Sequence, residues 1–276
     1  MKKITVIIVT YNSQKDIYDC LEALYRCNDI GDQLEVIVVD NHSKGAEAMF
    51  GRISREYPGV LLISNPENLG YGHGNNIGIR NAHAPYMVIM NPDVRLVEPI
   101  FAALWAAFEQ KQADLIGMRQ CERADRPGQS FLMLYPSCFN LFLHKFCTRT
   151  DLFLKRKFCF SGACFAFRKE SLEAIGLFDE KIFLYGEERY IHLQLLKMGR
   201  SRIYYHPEWR YIHPVHERAF SEREVRQGLR SYQYTLRKMG LNCNKRLRKF
   251  RNMYRLLYAR SLFAGHRNEA DHYKKS

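Results

Sequence analysis

Three short apolar runs constrain this chain most. They occupy residues 4–9 (Ile-Thr-Val-Ile-Ile-Val), 34–39 (Leu-Glu-Val-Ile-Val-Val) and 86–90 (Tyr-Met-Val-Ile-Met), and each stops at polar or acidic residues. The first is followed by Thr10-Tyr11-Asn12-Ser13, the second by Asp40-Asn41-His42-Ser43 and the third by Asn91-Pro92-Asp93. Such runs read as strands covered on both faces. Helical patterns lie between them: Ile17, Leu21 and Leu24 form a stripe that Tyr25 extends, residues 46–57 suit a helix, and residues 98–110 follow the third run. Residues 60–63 add a strand and residues 113–117 another. Alternating strands and helices imply a largely parallel sheet. Ligands of open α/β sheets bind at the carboxyl edge, so the polar ends of these runs are predicted to share one ligand-facing edge.

Residues 65–79 hold Gly70, Gly72, Gly74 and Gly78 together with four asparagines, before a helix predicted over 77–84. Glycine permits positive φ or close backbone approach, and bare N–H groups at a helix start can meet a phosphate or a sugar hydroxyl. The dinucleotide fingerprint G-x-G-x-x-G does not fit, because Gly78 stands one residue too late after Gly72-x-Gly74.

Size and composition allow one large α/β domain with an appendage: 276 residues, 46% hydrophobic and 26% charged. Eight cysteines occur without a C-x-x-C spacing, which gives no zinc signature and suggests free thiols in a reducing compartment. The first nine residues mimic a signal peptide, but Thr10-Tyr11-Asn12-Ser13 interrupts them without a small-residue cleavage site. The longest other apolar stretch, 99–108, is far below the roughly 20 residues of a membrane helix. A cytoplasmic protein, soluble or peripheral at the membrane, is expected.

Farther along, residues 119–158 show no clear period and read as an irregular segment. A strand is predicted over 163–168, helices over 169–175 and 187–198, and a short strand over 201–205. A helix over 222–239 carries Val225, Leu229, Tyr232 and Leu236 on one stripe and stops at Gly240. Residues 237–276 hold 12 Lys/Arg against 2 Asp/Glu, most of the chain's net charge of +13. Leu247, Phe250, Tyr254, Leu257 and Tyr258 follow helical spacing among those cations. Two readings stand: a basic amphipathic helix on an anionic membrane surface, or a solvated helix packed on the main domain. Nucleic acid is disfavoured, because no DNA- or RNA-binding motif accompanies the basic residues.

In this order, Val9-Thr-Tyr-Asn-Ser13, Val38-Val-Asp-Asn41 with Ser43, the Asn-rich segment 65–79, Asn91-Pro-Asp93, Ser161-Gly-Ala-Cys164, Phe183-Leu-Tyr-Gly-Glu-Glu188 and His213 resemble family 2 glycosyltransferases, nearest the bacterial rhamnosyltransferase-like branch. The resemblance covers roughly residues 3–216. It implies a GT-A-type single domain over 1–220, with a Rossmann-like nucleotide-sugar half (1–117) and an acceptor half (118–220), followed by a basic helical extension over 221–276. It also implies inverting transfer from a nucleotide-diphospho-sugar to a glycan or lipid-linked glycan in bacterial surface polysaccharide synthesis. The first expectation for the donor is dTDP-rhamnose, and a UDP-sugar is the next.

Each chemical task then has candidates. The leaving diphosphate calls for Mg²⁺ or Mn²⁺, which typically takes one or two protein carboxylates plus phosphates and water. By resemblance Asp93 and His213 are the metal ligands. The triad begins with Asn91, so only its last member is acidic. Asp40 ends a strand, where a carboxylate can accept from a pyrimidine N3–H or a ribose hydroxyl, or else close an Asx turn or cap a helix. The resemblance implies that Thr10, Tyr11 and Asn12 border the base, and that Asn68, Gly70, Gly74, Asn75 and Asn91 line the nucleotide and sugar. By the same resemblance the general base is expected at Glu188, where the family usually has Asp, with Glu187 as the alternative. Tyr190 stands where the family often has another acid, and His192 and Gln194 follow it, which bears on acceptor contacts. Asp179 is expected to brace its loop. A catalytically impaired nucleotide-sugar-binding subunit of an assembly complex is the competing reading. A nucleotidyltransferase lacks support, since no Gly-rich Arg/Lys signature occurs in residues 6–13.

Overall fold

The computed structural model describes residues 1–200, 202–214 and 222–263. In chain order it contains β1 (Ile4–Thr10), α1 (Ile17–Arg26), β2 (Leu34–Asp40), α2 (Ala46–Glu56), β3 (Val60–Ser64), α3 (Tyr71–Asn81), β4 (Tyr86–Met90), β5 (Arg95–Leu96) and α4 (Phe101–Lys111). There follow β6 (Leu115–Arg123), β7 (Arg126–Pro127), β8 (Phe131–Met133), α5 (Cys138–Thr150), β9 (Phe158–Phe160), β10 (Cys164–Arg168), α6 (Lys169–Ala174), α7 (Glu187–Lys197), β11 (Ile203–Ile212), α8 (Glu222–Lys238) and α9 (Cys243–Phe263).

The main sheet runs β3-β2-β1-β4-β10-β6-β11-β5, with β7 folded onto β6. Its first four strands are parallel. Strand β10 enters antiparallel between β4 and β6, and β11 lies parallel to β6. Strands β8 and β9 form a separate antiparallel pair. Strand β1 is buried throughout and apolar but for Thr5 and Thr10, because both faces are covered. Ile4, Val6 and Ile8 pack with Ile17 and Leu21 of α1 and with Phe101 and Leu104 of α4. Ile7 and Val9 face the opposite way, toward Ile79 of α3, Leu172 of α6 and Ile191 of α7.

Four predicted elements differ from those observed. The helix expected over 77–84 begins at Tyr71, so the glycine-rich run is itself helical. Its glycines let α3 lie close to the sheet: a Cβ on Gly74 would come within 2.8 Å of Val9 Cγ1, and one on Gly78 would collide with Ile7. The helix expected over 98–110 starts at Phe101, where Asp29 Oδ1 accepts from the N–H groups of Phe101 and Ala102, 3.1 Å each. The segment read as irregular, 119–158, holds the end of β6, then β7, β8 and α5. Helix α5 has no clear period in the sequence because apolar residues occupy both its faces, which blurs the 3.6 repeat. The last strand runs from Ile203 to Ile212 rather than over 201–205, with a bulge between His206 and Arg210; Ser201 lies outside the described residues.

The C-terminal helices pack on this body. Ser231 Oγ donates to the Leu184 carbonyl (3.0 Å), and Tyr234 Oη and Lys238 Nζ both donate to Asp179 Oδ2, at 2.9 and 2.6 Å. Burial alone would raise the Asp179 pKa, but hydrogen bonds from Lys238, Tyr234 and the Lys181 N–H reverse that and hold it below the usual range. Helix α9 packs against α5 and α8, and Arg246 sits 3.5 Å above the Tyr135 ring. The side chains of Val225 and Tyr258, and residues 264–276 of the basic segment, lie outside the described residues. The eight cysteines carry free thiols. No described helix is long and apolar enough to cross a membrane.

Candidate active site

Parallel pairing in register carries the polar strand ends to one edge. Thr10 of β1 pairs with Asp40 of β2, and Ile8 pairs with Met90 just before Asn91. Asp40 is fully buried. Its Oδ1 accepts from Thr10 Oγ1 (2.9 Å) and Ser43 Oγ, and its Oδ2 accepts from the Ser43 N–H (2.8 Å). As it stands this carboxylate closes its own turn and braces β1 to β2. The Asn12 N–H donates to Ser43 Oγ (2.7 Å), and Asn12 Oδ1 accepts from the Lys44 N–H (3.0 Å). Asn12 and His42 adopt positive φ, 53° and 62°. Tyr11 is left 53% exposed on this stitched pair of loops, available to a flat ligand.

The glycine-rich helix start is held just as firmly. The Gly70 N–H donates to Asn68 Oδ1 (3.1 Å), and the Gly70 carbonyl accepts from Asn41 Nδ2 (3.0 Å). Gly70 has φ 102°, and a Cβ there would strike the Phe183 backbone. Asn75 is buried: its Nδ2 donates to the Tyr71 carbonyl (2.9 Å), while its Oδ1 has no partner among the described residues. Tyr71 Oη lies 3.0 Å from both Asn91 Oδ1 and the Gly162 carbonyl. Burial, and next the Glu187 charge, push its pKa well above the phenol range, so it stays a neutral donor.

A cleft of about 510 Å³ opens beside this tyrosine. Tyr71, Asn91, Gly162, Glu187, Glu188, Arg189 and His213 line one part of it, and Leu132, Leu184, Leu229, Tyr232, Phe250 and Tyr254 line the rest. At its edge His213 Nε2 stands 3.3 Å from Asp93 Oδ1. Asp93 follows β4, and His213 follows β11 with its N–H donating to the Cys121 carbonyl. The fold thus brings together Asn91, Asp93, Glu187, Glu188 and His213. It keeps Thr10, Tyr11, Asn12 and Asp40 on the neighbouring loops of the same sheet edge, outside the lining of this cleft.

Glu187 and Glu188 open α7 after Gly186, which has φ 102°. Glu187 is 3% exposed, and its Oε1 has no partner among the described residues. Burial, then the Glu188 charge, raise its pKa to about 8. Glu188 also rises through desolvation, yet it keeps partial exposure in the cleft. A Cβ on Gly162 would come within 3.4 Å of Glu188 Oε2, so the glycine leaves room in front of that carboxylate. The two adjacent acids sit in unlike surroundings: the buried one keeps its proton, and the more open one is placed to exchange its own.

Among the described residues no cluster of three or more His, Cys, Asp or Glu stands ready for a metal. One carboxylate and one imidazole nonetheless suffice for an ion that takes its remaining ligands from a diphosphate and water. Tyr190 and His192 face the interior. His192 is fully buried, near Phe153 and Phe160, and burial lowers its pKa to about 4. The wall contributed by Tyr232, Phe250 and Tyr254 was readable only as helical stripes, and Tyr71 was hidden among the glycines.

The fold is of GT-A type. It resembles a mannosyltransferase from Pyrobaculum calidifontis solved with GDP-Man and Mn²⁺ (TM-score 0.65, 18% identity, 99% of this chain and 84% of that one). It also resembles S. aureus TarS 1–349 in complex with UDP (TM-score 0.60, 17% identity, 91% and 70%). At these identities the likeness is one of fold. Residues 5–176 match glycosyl transferase family 2, and the chain belongs to that family. It is 29% identical over 111 residues to the uncharacterized glycosyltransferase YfnE of Bacillus subtilis, covering 40% of this chain and 28% of that protein. It is 25% identical over 190 residues to the low-salt glycan biosynthesis hexosyltransferase Agl10 of Haloferax volcanii, covering 67% and 59%. The chain therefore spans less than two thirds of either relative.

Proposed function

We propose that this protein is an inverting glycosyltransferase acting on a nucleotide-diphospho-sugar, with residues 1–220 as the transferase unit and 221–276 as a basic extension whose Leu229, Tyr232, Phe250 and Tyr254 help wall the cleft. One observation carries the reading: Asp93 and His213, distant in the chain, meet at 3.3 Å beside the cleft that holds Glu187 and Glu188. Mg²⁺ or Mn²⁺ held by Asp93 and His213 would neutralise the departing diphosphate. Glu188 takes the proton of the acceptor hydroxyl as its oxygen bonds to the anomeric carbon and the bond to the diphosphate breaks. Glu187, uncharged near neutral pH, keeps a second negative charge away from Glu188; it is the alternative base. Tyr71 orients Asn91 toward the sugar. The loops stitched by Asp40 and Ser43 present Thr10, Tyr11 and Asn12 to the base, and Asn68, Gly70, Gly74 and Asn75 border the nucleotide and sugar.

dTDP-rhamnose is the first donor to test, then UDP-sugars; solved proteins of similar fold hold UDP, UDP-GlcNAc or GDP-Man. The acceptor is a glycan or lipid-linked glycan of surface polysaccharide synthesis, which the apolar end of the cleft supports, and the basic segment 237–276 faces an anionic membrane from the cytoplasmic side. A panel of nucleotide sugars screened by thermal shift with Mn²⁺ or Mg²⁺, then by release of nucleoside diphosphate, tests this. Stabilisation by one donor together with metal, followed by turnover, is expected. The second reading, a nucleotide-sugar-binding subunit without activity, draws on the engagement of Asn91 by Tyr71. It would show as stabilisation without sugar release across many acceptors.

A further inference from the structure

Helix α5 turns its buried face, with Leu141, His144 and Cys147, into the protein. Its outer face is not polar. Phe139, Phe142 and Phe146 are 71%, 58% and 58% exposed. At about 100° per residue these rings fall within an arc of roughly 60°, pointing away from the buried stripe. Lys145 and Arg149, both exposed, run along one side of them, and α5 contains no acidic residue.

Three exposed phenylalanines on one helix gain little from folding, since each keeps more than half of its surface in water. An aromatic stripe edged by cations suits a helix lying in a membrane interface, with rings below the headgroups and cations among the phosphates. Helix α9 packs against α5 and adds Lys245, Arg248, Arg251 and Arg255 along an open groove of about 640 Å³. Residues 237–263 include no acid. A second copy of this chain would bring its own Lys145 and Arg149 against these, whereas an anionic bilayer complements both the charge and the apolar stripe. On its other side α9 sends Phe250 and Tyr254 into the cleft.

We propose that α5 is the membrane-inserting element of this protein, seated by Phe139, Phe142 and Phe146 in an anionic lipid surface with the cations of α9 beside it. This extends the membrane reading of the basic segment, and the two fail differently. Cation–phosphate attraction is screened by salt, whereas insertion of aromatic rings is not.

The test is co-sedimentation of the full chain with vesicles of phosphatidylcholine containing about a third phosphatidylglycerol, at low and high salt. The triple variant Phe139→Ser/Phe142→Ser/Phe146→Ser should lose binding by on the order of a hundredfold, including the salt-resistant part. Lys245→Gln/Arg248→Gln/Arg251→Gln should lose only the salt-sensitive part, about fivefold per cation removed. In a Phe142→Trp variant, added vesicles should shift the new indole emission to the blue. Parent-like vesicle binding by the triple variant, or an unshifted emission from the introduced indole, overturns the proposal even if the basic segment binds lipid. A parent that sediments as a dimer without lipid, converted to monomer by the triple variant, overturns it in favour of self-association.

Discussion

Replacing Glu187 by glutamine is expected to stabilise this protein, and to do so increasingly as the pH rises. Glu187 is 3% exposed, its Oε1 lacks a partner among the described residues, and burial pushes its pKa up from 4.5 to about 8. Below about pH 4.5 the folded and unfolded chains both carry the proton, so the buried acid costs nothing there. Between about 4.5 and 8 the folded chain keeps a proton that the unfolded chain has released, and stability falls by about 1.4 kcal/mol per pH unit. Above about 8 both states are ionised and the loss levels off. Over that window the loss reaches at most about 5 kcal/mol, and charge sharing with Glu188 and relaxation around the pair bring it to roughly 2–3 kcal/mol. Glutamine keeps the shape and removes the charge, and with it the slope. With about 2–4 °C per kcal/mol for a chain near this size, Glu187→Gln should melt about 5–10 °C above the parent near pH 8 and almost level with it near pH 5. Thermal and urea melts followed by circular dichroism at about pH 5, 6.5 and 8 read this directly. A variant no more stable than the parent near pH 8, or one whose advantage does not grow with pH, would refute the argument that burial keeps Glu187 protonated.

Glu188→Gln should lower the turnover number by roughly 10²–10⁴ while donor affinity by calorimetry changes little; normal turnover would remove Glu188 from the chemistry. Gly78→Ala places a methyl group against Ile7 where α3 lies on β1, and should cost roughly 1–3 kcal/mol in urea unfolding. Unchanged stability there would mean that α3 can lift away from the sheet at no cost.

The strands were legible because β1, β2 and β4 are covered on both faces, so their runs are apolar but for Thr5 and Glu35 and their polar ends are sharp. The same sharpness made Asn91, Asp93 and the edge itself readable. Helix boundaries were legible to within a residue in α2, where Met49 and Ile53 form a single buried stripe, and in α7. Helix α5 was not, because Phe139, Phe142 and Phe146 face outward while Leu141 and Cys147 face inward, and a helix apolar on two faces has no clear period. The start of α3 at Tyr71 is hidden in the sequence for a different reason. Glycine weakens helix propensity, but here close packing on Val9 and Ile7 decides. The engagement of Asp40 by Thr10 and Ser43, and the wall that Tyr232, Phe250 and Tyr254 add to the cleft, depend on residues far apart in sequence, and no local pattern encodes them.

The pairing of Asp93 with His213 is tested most directly by titrating Mn²⁺ into the protein and following its paramagnetic resonance signal, with and without uridine or thymidine diphosphate. Mn²⁺ should bind more tightly when the diphosphate is present. That affinity should fall at least about tenfold in both Asp93→Ala and His213→Ala, with their melting curves otherwise like the parent's. Equal Mn²⁺ binding by the parent and both variants would contradict the account.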